Sequence, residues 1–241
     1  MDRVIVTGDS RGLGAEIVET LLKSDEYEIV GISRSQSDRT TQFEKSYPDK
    51  FEHINFNLAE PDDIGTLYKE RLKPRGPIYG LVNNAAMAYD DLVTNIDIKN
   101  LQKMFNVNVL SPIMLSKFVL RDMMLNRTEG SLVHISSVST STGYKGLSMY
   151  SSTKGALESF SLGIAREWGE RGIRSNCVAP GFMNTDMTAS LDETQKERIY
   201  DRTGLGQPTD ETDVAELVSY LLSQSAKSIT GEVIRVDSGT L

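Results

Sequence analysis

Val4-Ile5-Val6-Thr7-Gly8-Asp9-Ser10-Arg11-Gly12-Leu13-Gly14 opens the chain with an apolar, β-branched run that breaks into glycines. The run predicts a strand over Val4–Thr7. Leu13, Ile17, Leu21 and Leu22 then fall on one side of a helix over Gly12–Lys23. Between the two, Gly8 permits a tight exit from the strand, Gly12 lets the backbone approach a pyrophosphate, and Gly14 lets the helix pack near the strand. Ser10, Arg11 and Leu13 complete a turn whose helix N-terminus offers amide donors and a positive dipole end. The spacing is G-x-x-x-G-x-G rather than G-x-G-x-x-G. Such a turn is sometimes only a tight βα connection, but its place after the first strand favours phosphate binding.

The same alternation continues along the chain. Strands are expected at Glu28–Ser33, Phe51–Asn57, Gly80–Asn83, Ser131–Ser136, Arg174–Ala179 and Glu232–Val236. Helices are expected at Pro61–Arg71, Ile98–Leu125, Met149–Gly169 and Asp210–Ser223. Alternating β and α units imply an α/β fold, a doubly wound parallel sheet covered on both faces. At 241 residues, without repeat or linker, residues 1–241 are expected to form a single domain. The segment Met187–Gln207 is expected to be a polar loop over the substrate.

Composition narrows the function. Lys plus Arg is 26 against 34 Asp plus Glu, a net charge of −8, which does not suit general nucleic-acid or anionic-membrane binding. Neither a signal peptide nor a membrane-length apolar run is evident, so a cytoplasmic protein is expected. Cys177 is the only cysteine, in an apolar run that suits a buried, inert thiol. The only histidines, His53 and His134, lie far apart in strand-like runs and are expected to be packing residues, with no metal site.

Tyr150 and Lys154 stand one helical turn apart in Tyr-Ser-Ser-Thr-Lys, with Ser137 thirteen residues upstream. A phenol with a pKa near 10 is a poor base at neutral pH, and an ammonium one turn away is expected to lower that pKa. A serine hydroxyl can hold a carbonyl or alcohol oxygen while the tyrosine moves its proton. With a nicotinamide to carry hydride, these parts make a carbonyl reductase or alcohol dehydrogenase. The coenzyme is expected to be NADP(H) rather than NAD(H). No acid stands near the end of the second strand before Asp38, whereas Arg34 and Arg11 suit a 2′-phosphate.

These residues resemble the classical short-chain dehydrogenase/reductase family through the whole chain. Its Thr-Gly-x-x-x-Gly-x-Gly motif matches Thr7 to Gly14, and its Asn-Asn-Ala-Gly motif matches Asn83-Asn84-Ala85-Ala86. The family's active-site asparagine matches Asn108, and its catalytic serine, tyrosine and lysine match Ser137, Tyr150 and Lys154. Its nicotinamide-contacting Pro-Gly-x-x-x-Thr segment matches Pro180, Gly181, Phe182, Met183, Asn184 and Thr185. The resemblance implies a Rossmann fold with a seven-stranded sheet of order 3-2-1-4-5-6-7, usually tetrameric. It also places Asn57 and Leu58 beside the adenine, and Asn84, Ala85 and Ala86 against the cofactor. Four departures stand out: Ala86 for glycine, Asn57 for aspartate, Gly204 where relatives often have arginine, and Ser238 for glycine in the terminal Val-Asp-Gly-Gly pattern. Pro112 cannot donate to the Asn108 carbonyl four residues back. That carbonyl needs another partner, which in the family is a water that links to the catalytic lysine.

Within the family the chain looks closest to 3-oxoacyl-acyl-carrier-protein reductases, which implies an acyl carrier protein as docking partner. Arg171, with Arg127 and Arg121, could supply the positive charge for it. A sugar, polyol or small ketone is the alternative substrate, and a non-catalytic NADP(H)-binding regulatory or assembly subunit is the alternative class. The segments 98–125 and 149–169 carry more apolar residues than one buried stripe needs. A homo-oligomer joined through them is expected.

Overall fold

Strand and helix alternate from the first residues of the chain. They run β1 (Asp2–Thr7), α1 (Gly12–Ser24), β2 (Tyr27–Ser33), α2 (Asp38–Ser46), β3 (Phe51–Asn55), the single turn α3 (Ile64–Leu67) and β4 (Gly80–Asn83). There follow α4 (Ile98–Phe105), α5 (Ser111–Asn126), β5 (Gly130–Ile135), the single turn α6 (Ser139–Thr142), α7 (Ser148–Trp168) and β6 (Ile173–Pro180). The last elements are α8 (Glu193–Tyr200), α9 (Glu211–Leu222) and β7 (Val233–Val236). The structure is a computed structural model that describes residues 1–184 and 192–240.

All seven strands are parallel, in one sheet of order β3-β2-β1-β4-β5-β6-β7. Successive side chains of a strand point to opposite faces. Val4, Val6, Val82, Val133 and Val178 therefore pack under α1 and α9, and Ile5, Ile32, Leu81 and Leu132 under α5 and α7. β4, β5 and β6 are buried along their whole length, as expected of central strands covered on both faces. The strand order turns back between β1 and β4, which opens a crevice beyond their C-terminal ends. Thr7 ties that point together: its hydroxyl accepts the N–H groups of Asn84 and Ala85, each at 3.0 Å.

Most expected elements are present with ends shifted by a residue or two, the expected helix Pro61–Arg71 being α3 between a 3-10 turn, Pro61–Asp63, and a π turn, Tyr68–Leu72; α2, α8 and the single turn α6 are additional. α2 buries only Thr40 and Phe43, too sparse a pattern to show periodicity, and starts on a Ser37–Thr40 capping box. α8 lies inside the segment expected to be a loop, entered through an Asp192–Gln195 capping box. Residues 187 to 191 of that segment are outside the described residues. The expected helix Ile98–Leu125 is α4 and α5 joined by a π turn, Asn106–Leu110, in which the Ser111 N–H reaches the Asn106 carbonyl. Pro112 accounts for the wider turn, since it has no N–H for the Asn108 carbonyl.

On α5 and α7 the apolar excess is visible at the surface. Leu110, Met124, Leu125 and Leu162 are exposed, beside a groove lined by Ile113, Leu120, Phe160 and Trp168. No helix among the described residues is long and apolar enough to cross a membrane.

Arg174 is a charge inside this frame. Its guanidinium is buried and donates to the carbonyls of Leu221, Leu222 and Ser223 at 2.6, 3.2 and 3.1 Å, capping the C-terminus of α9. Arg174→Met removes these charged donors, leaving Leu221 to the Ser131 hydroxyl and Leu222 to the Tyr79 hydroxyl, with an expected loss of about 2–3 kcal/mol of stability. Urea denaturation reads this directly; an unchanged midpoint would show that the cap contributes nothing.

Candidate active site

The glycine turn leaves β1 through Gly8, at φ +75°, whose N–H donates to the Ile32 carbonyl at 2.8 Å. Gly14 packs so closely that a Cβ there would lie 2.0 Å from the Gly8 carbonyl oxygen. Gly12 also takes positive φ, +52°. Arg11 is exposed, in extended backbone at the N-cap of α1. No side chain caps α1, and no acid stands in its first turn. The turn thus offers a pyrophosphate close backbone and amide donors, with Glu211 Oε1 3.9 Å from where a Cβ on Gly12 would stand. Ser10 is half-buried in the turn, whereas Leu13 is buried in the core.

Around the turn, Arg34 is exposed just beyond β2, as is Asn57 beyond β3, while Leu58 is buried in the core. Asn84 donates to the Thr7 carbonyl at 2.9 Å, and Ala85 and Ala86 follow half-buried. Ala86 stays out of the left-handed region, so its Cβ costs nothing there. Ser238 does not: it sits at φ +52°, which explains why glycine suits that position. Pro180 ends β6, and the Gly181 N–H bonds the Val236 carbonyl at 2.8 Å, with Met183 packed against the core. Thr185 lies outside the described residues.

Asp9, inside the turn, points inward. It is fully buried, and its Oδ2 lies 2.7 Å from His53 Nδ1. His53 Nε2 in turn faces Asn55 Oδ1 at 3.0 Å, so both ring nitrogens meet oxygen acceptors, an arrangement the imidazolium satisfies fully. Burial opposes the charge, but the Asp9 hydrogen bond and charge outweigh it and raise the His53 pKa. His53 is thus not the packing residue expected. Gly31 makes room for the pair, since a Cβ there would lie 2.0 Å from Asp9 Oδ2. His134 is a polar residue too, hydrogen-bonded to Asn83 and Ser175 at 3.1 and 3.3 Å. Burial, then the Lys154 charge, pulls its pKa down to about 4, so the ring is neutral.

The reactive side chains gather at the C-terminal ends of β4 and β5. Lys154, 1% exposed, donates to the Ile135 carbonyl at 2.7 Å and lies 5.6 Å from the centre of the Tyr150 ring. Ser137 follows β5; its Oγ accepts the Ser139 N–H at 3.1 Å, which leaves the hydroxyl proton for a substrate oxygen. Asn108 is fully buried in the π turn, with its amide bonded to both the N–H and the carbonyl of Met87, each at 2.8 Å. Its Nδ2 also donates to Thr153 Oγ1 at 3.0 Å, which joins the loop after β4 to α7. Thr153 and Met87 are residues of this cluster that the sequence reading missed. Thr153 carried one signal: it lies on α7 beside Lys154.

Electrostatics here correct one expectation. Burial, then the Asp90 carboxylate, pushes the Tyr150 phenol up rather than down. Burial also lowers the Lys154 pKa, to about 8. A neighbouring ammonium by itself lowers a phenol's pKa, but desolvation acts on both groups and prevails here. At neutral pH the phenol is protonated and the ammonium still largely charged.

Comparison with known proteins agrees with this geometry. Residues 8–240 match a family model described as enoyl-(acyl carrier protein) reductase. The chain is 33% identical over 236 residues to the 3-oxoacyl-acyl-carrier-protein reductase FabG of Vibrio cholerae, covering 98% of this chain and 95% of that one. It is 34% identical to FabG of Aquifex aeolicus over 237 residues, with 98% and 95% covered. A solved structure of a Serratia marcescens short-chain dehydrogenase/reductase, a double mutant, superposes with a TM-score of 0.89 at 26% identity, covering 99% of this chain and 97% of that chain.

The Asp9–His53 pair generates a stability prediction. With the folded pKa of His53 raised above an unfolded value of about 6.5, the pair's contribution is complete below that value and is lost as pH rises through the raised one. Asp9→Ala should flatten this slope. Gly31→Ala should cost about 1–3 kcal/mol in the native background, through overpacking, and much less in Asp9→Ala. Urea denaturation across this pH range measures both; equal costs in the two backgrounds would mean that Gly31 is not there to admit the carboxylate.

Proposed function

The chain belongs to the short-chain dehydrogenase/reductase family, and within it we propose an NADPH-dependent carbonyl reductase whose substrate is a 3-oxoacyl thioester on an acyl carrier protein. The observation that carries the reductase reading is the buried ammonium of Lys154, 5.6 Å from the Tyr150 ring and bonded to the Ile135 carbonyl. An ammonium has three donors; those not used on Ile135 suit the hydroxyls of a nicotinamide ribose. The bound nicotinamide supplies the hydride for the carbonyl carbon. Ser137 donates its free proton to the carbonyl oxygen and orients it. Tyr150, protonated at neutral pH, delivers the proton that completes the alcohol. Asn108, fixed by Met87 and Thr153, holds the loop after β4 against α7 and supports proton resupply through Lys154.

Arg34, just beyond β2, and Arg11, in the glycine turn, support NADP(H) over NAD(H), since guanidinium groups suit a 2′-phosphate. Asp9, the one acid in the turn, faces His53 instead. The carrier reading draws on the FabG relatives and on Arg171. Arg171 precedes β6, as Arg127 precedes β5, so both lie at the end of the sheet away from Ser137. Six residues of β5 at about 3.3 Å each separate those ends by about 20 Å. A carrier docked there would serve the site of a neighbouring copy, which fits a homo-oligomer formed over the exposed apolar faces of α5 and α7.

The test is NADPH and NADH oxidation with acetoacetyl thioester, free and carrier-bound, beside keto-sugars and small ketones. NADPH-driven reduction is expected, falling as pH rises through about 8 and Lys154 loses its charge. Tyr150→Phe should keep NADPH binding and lose about 10²-fold or more in turnover. Arg171→Glu should slow only the carrier-bound substrate, in a salt-sensitive way. Activity confined to free sugars or ketones would overturn the carrier assignment. NADPH binding without turnover on any substrate would leave a non-catalytic protein.

A further inference from the structure

Tyr150, Lys154 and Glu158 follow one another at single-turn spacing along α7. The first two belong to the reaction centre, but the third does not turn toward them. The Glu158 carboxylate accepts the Ser136 hydroxyl in a short hydrogen bond and the Thr140 hydroxyl at 3.1 Å, both at the same oxygen, Oε1. Ser136 and Thr140 bracket Ser137. Thr140 shares its hydroxyl with the Ser137 carbonyl at 3.0 Å, and its N–H bonds the same carbonyl at 3.2 Å. The turn that carries the serine is thus held from both sides by one side chain of the helix that carries the tyrosine and lysine.

We propose that Glu158 is a positioning residue: its carboxylate clamps the Ser136–Thr140 turn and fixes the direction of the Ser137 hydroxyl relative to Tyr150. This rests on the reductase reading above. The Ser137 Oγ accepts the Ser139 N–H at 3.1 Å, which holds the oxygen in place and directs its proton outward, and that contact needs the turn to keep its shape. Each hydroxyl that binds the carboxylate would otherwise turn to water or to a neighbouring carbonyl and loosen the turn. A small misdirection of Ser137 weakens a bond that strengthens as charge gathers on the carbonyl oxygen, so the effect falls on the transition state more than on substrate binding.

Glu158→Leu and Thr140→Val, the latter removing one arm of the clamp, are compared with Glu158→Gln, which keeps an acceptor oxygen. Glu158→Leu should lose about 10- to 100-fold in kcat, with KM for the carbonyl substrate and NADPH affinity nearly unchanged. Thr140→Val should lose part of this, and Glu158→Gln should stay within about threefold of the native enzyme. In a Ser137→Ala background, Glu158→Leu should add less than about twofold, because the group it positions is gone. An equal loss in that background, or an unchanged kcat in Glu158→Leu, overturns the proposal. A crystal structure of Glu158→Leu decides it without turnover: Ser137 Oγ is expected to leave the Ser139 N–H, and retention of that contact overturns it. If the native protein reduces no carbonyl, the reductase reading fails, while the crystallographic comparison still stands as the test of the clamp.

Discussion

Lys154 reaches from α7 to the Ile135 carbonyl, so its charge sits where β5 stops and almost no water enters. Taking an ammonium out of water costs several kcal/mol even after relaxation. The surroundings offset this with a carbonyl dipole and the face of the Tyr150 ring. The remainder shows as a pKa lowered to about 8, which keeps the side chain mostly charged at neutral pH. The position of that charge ties α7, which carries Tyr150, to the end of β5, which Ser137 follows. The same burial keeps the phenol protonated, the form that gives up a proton during carbonyl reduction.

Several other polar groups of the interior are likewise paired near the end of a strand or helix. Thr7 binds the first two amides after Asn83, Arg174 takes the last carbonyls of α9, and Asp122 accepts from Tyr68 and from the Ile78 N–H. Val, Ile and Leu fill most of the sheet's two faces, joined in β5 and β6 by buried His134, Ser175 and Asn176, and the candidate site lies at the C-terminal edge. Glycines enter where two backbones or a carboxylate must come close, as at Gly14 and Gly31.

Much of this was legible in the sequence, because strongly periodic signals survive folding unchanged. Leu13, Ile17, Leu21 and Leu22 all face the core as spaced, and the seven strands fall in the expected order. Pro112 announced an irregular helix at Asn108, which proved to be a π turn. What was not legible depends on contacts far apart in the chain. His53 is an ordinary strand residue until Asp9, 44 positions away, meets it. The rise of the Tyr150 pKa comes from burial and from Asp90, neither readable from a Tyr-x-x-x-Lys spacing. α2 and α8 bury too little to leave a pattern, and only their capping residues signal them. Ser238 in left-handed backbone became visible as strain only once its φ was known.

The reductase proposed above passes a hydride from a bound nicotinamide to a substrate carbonyl held by Ser137 and Tyr150. The mass of the alcohol formed from a 3-oxoacyl thioester, with NADPH fully deuterated at the nicotinamide C4 carbon, tests this most directly. One deuterium is expected on the new carbinol carbon of every product molecule. An alcohol without that label, or NADPH that binds and is never oxidised, would contradict it.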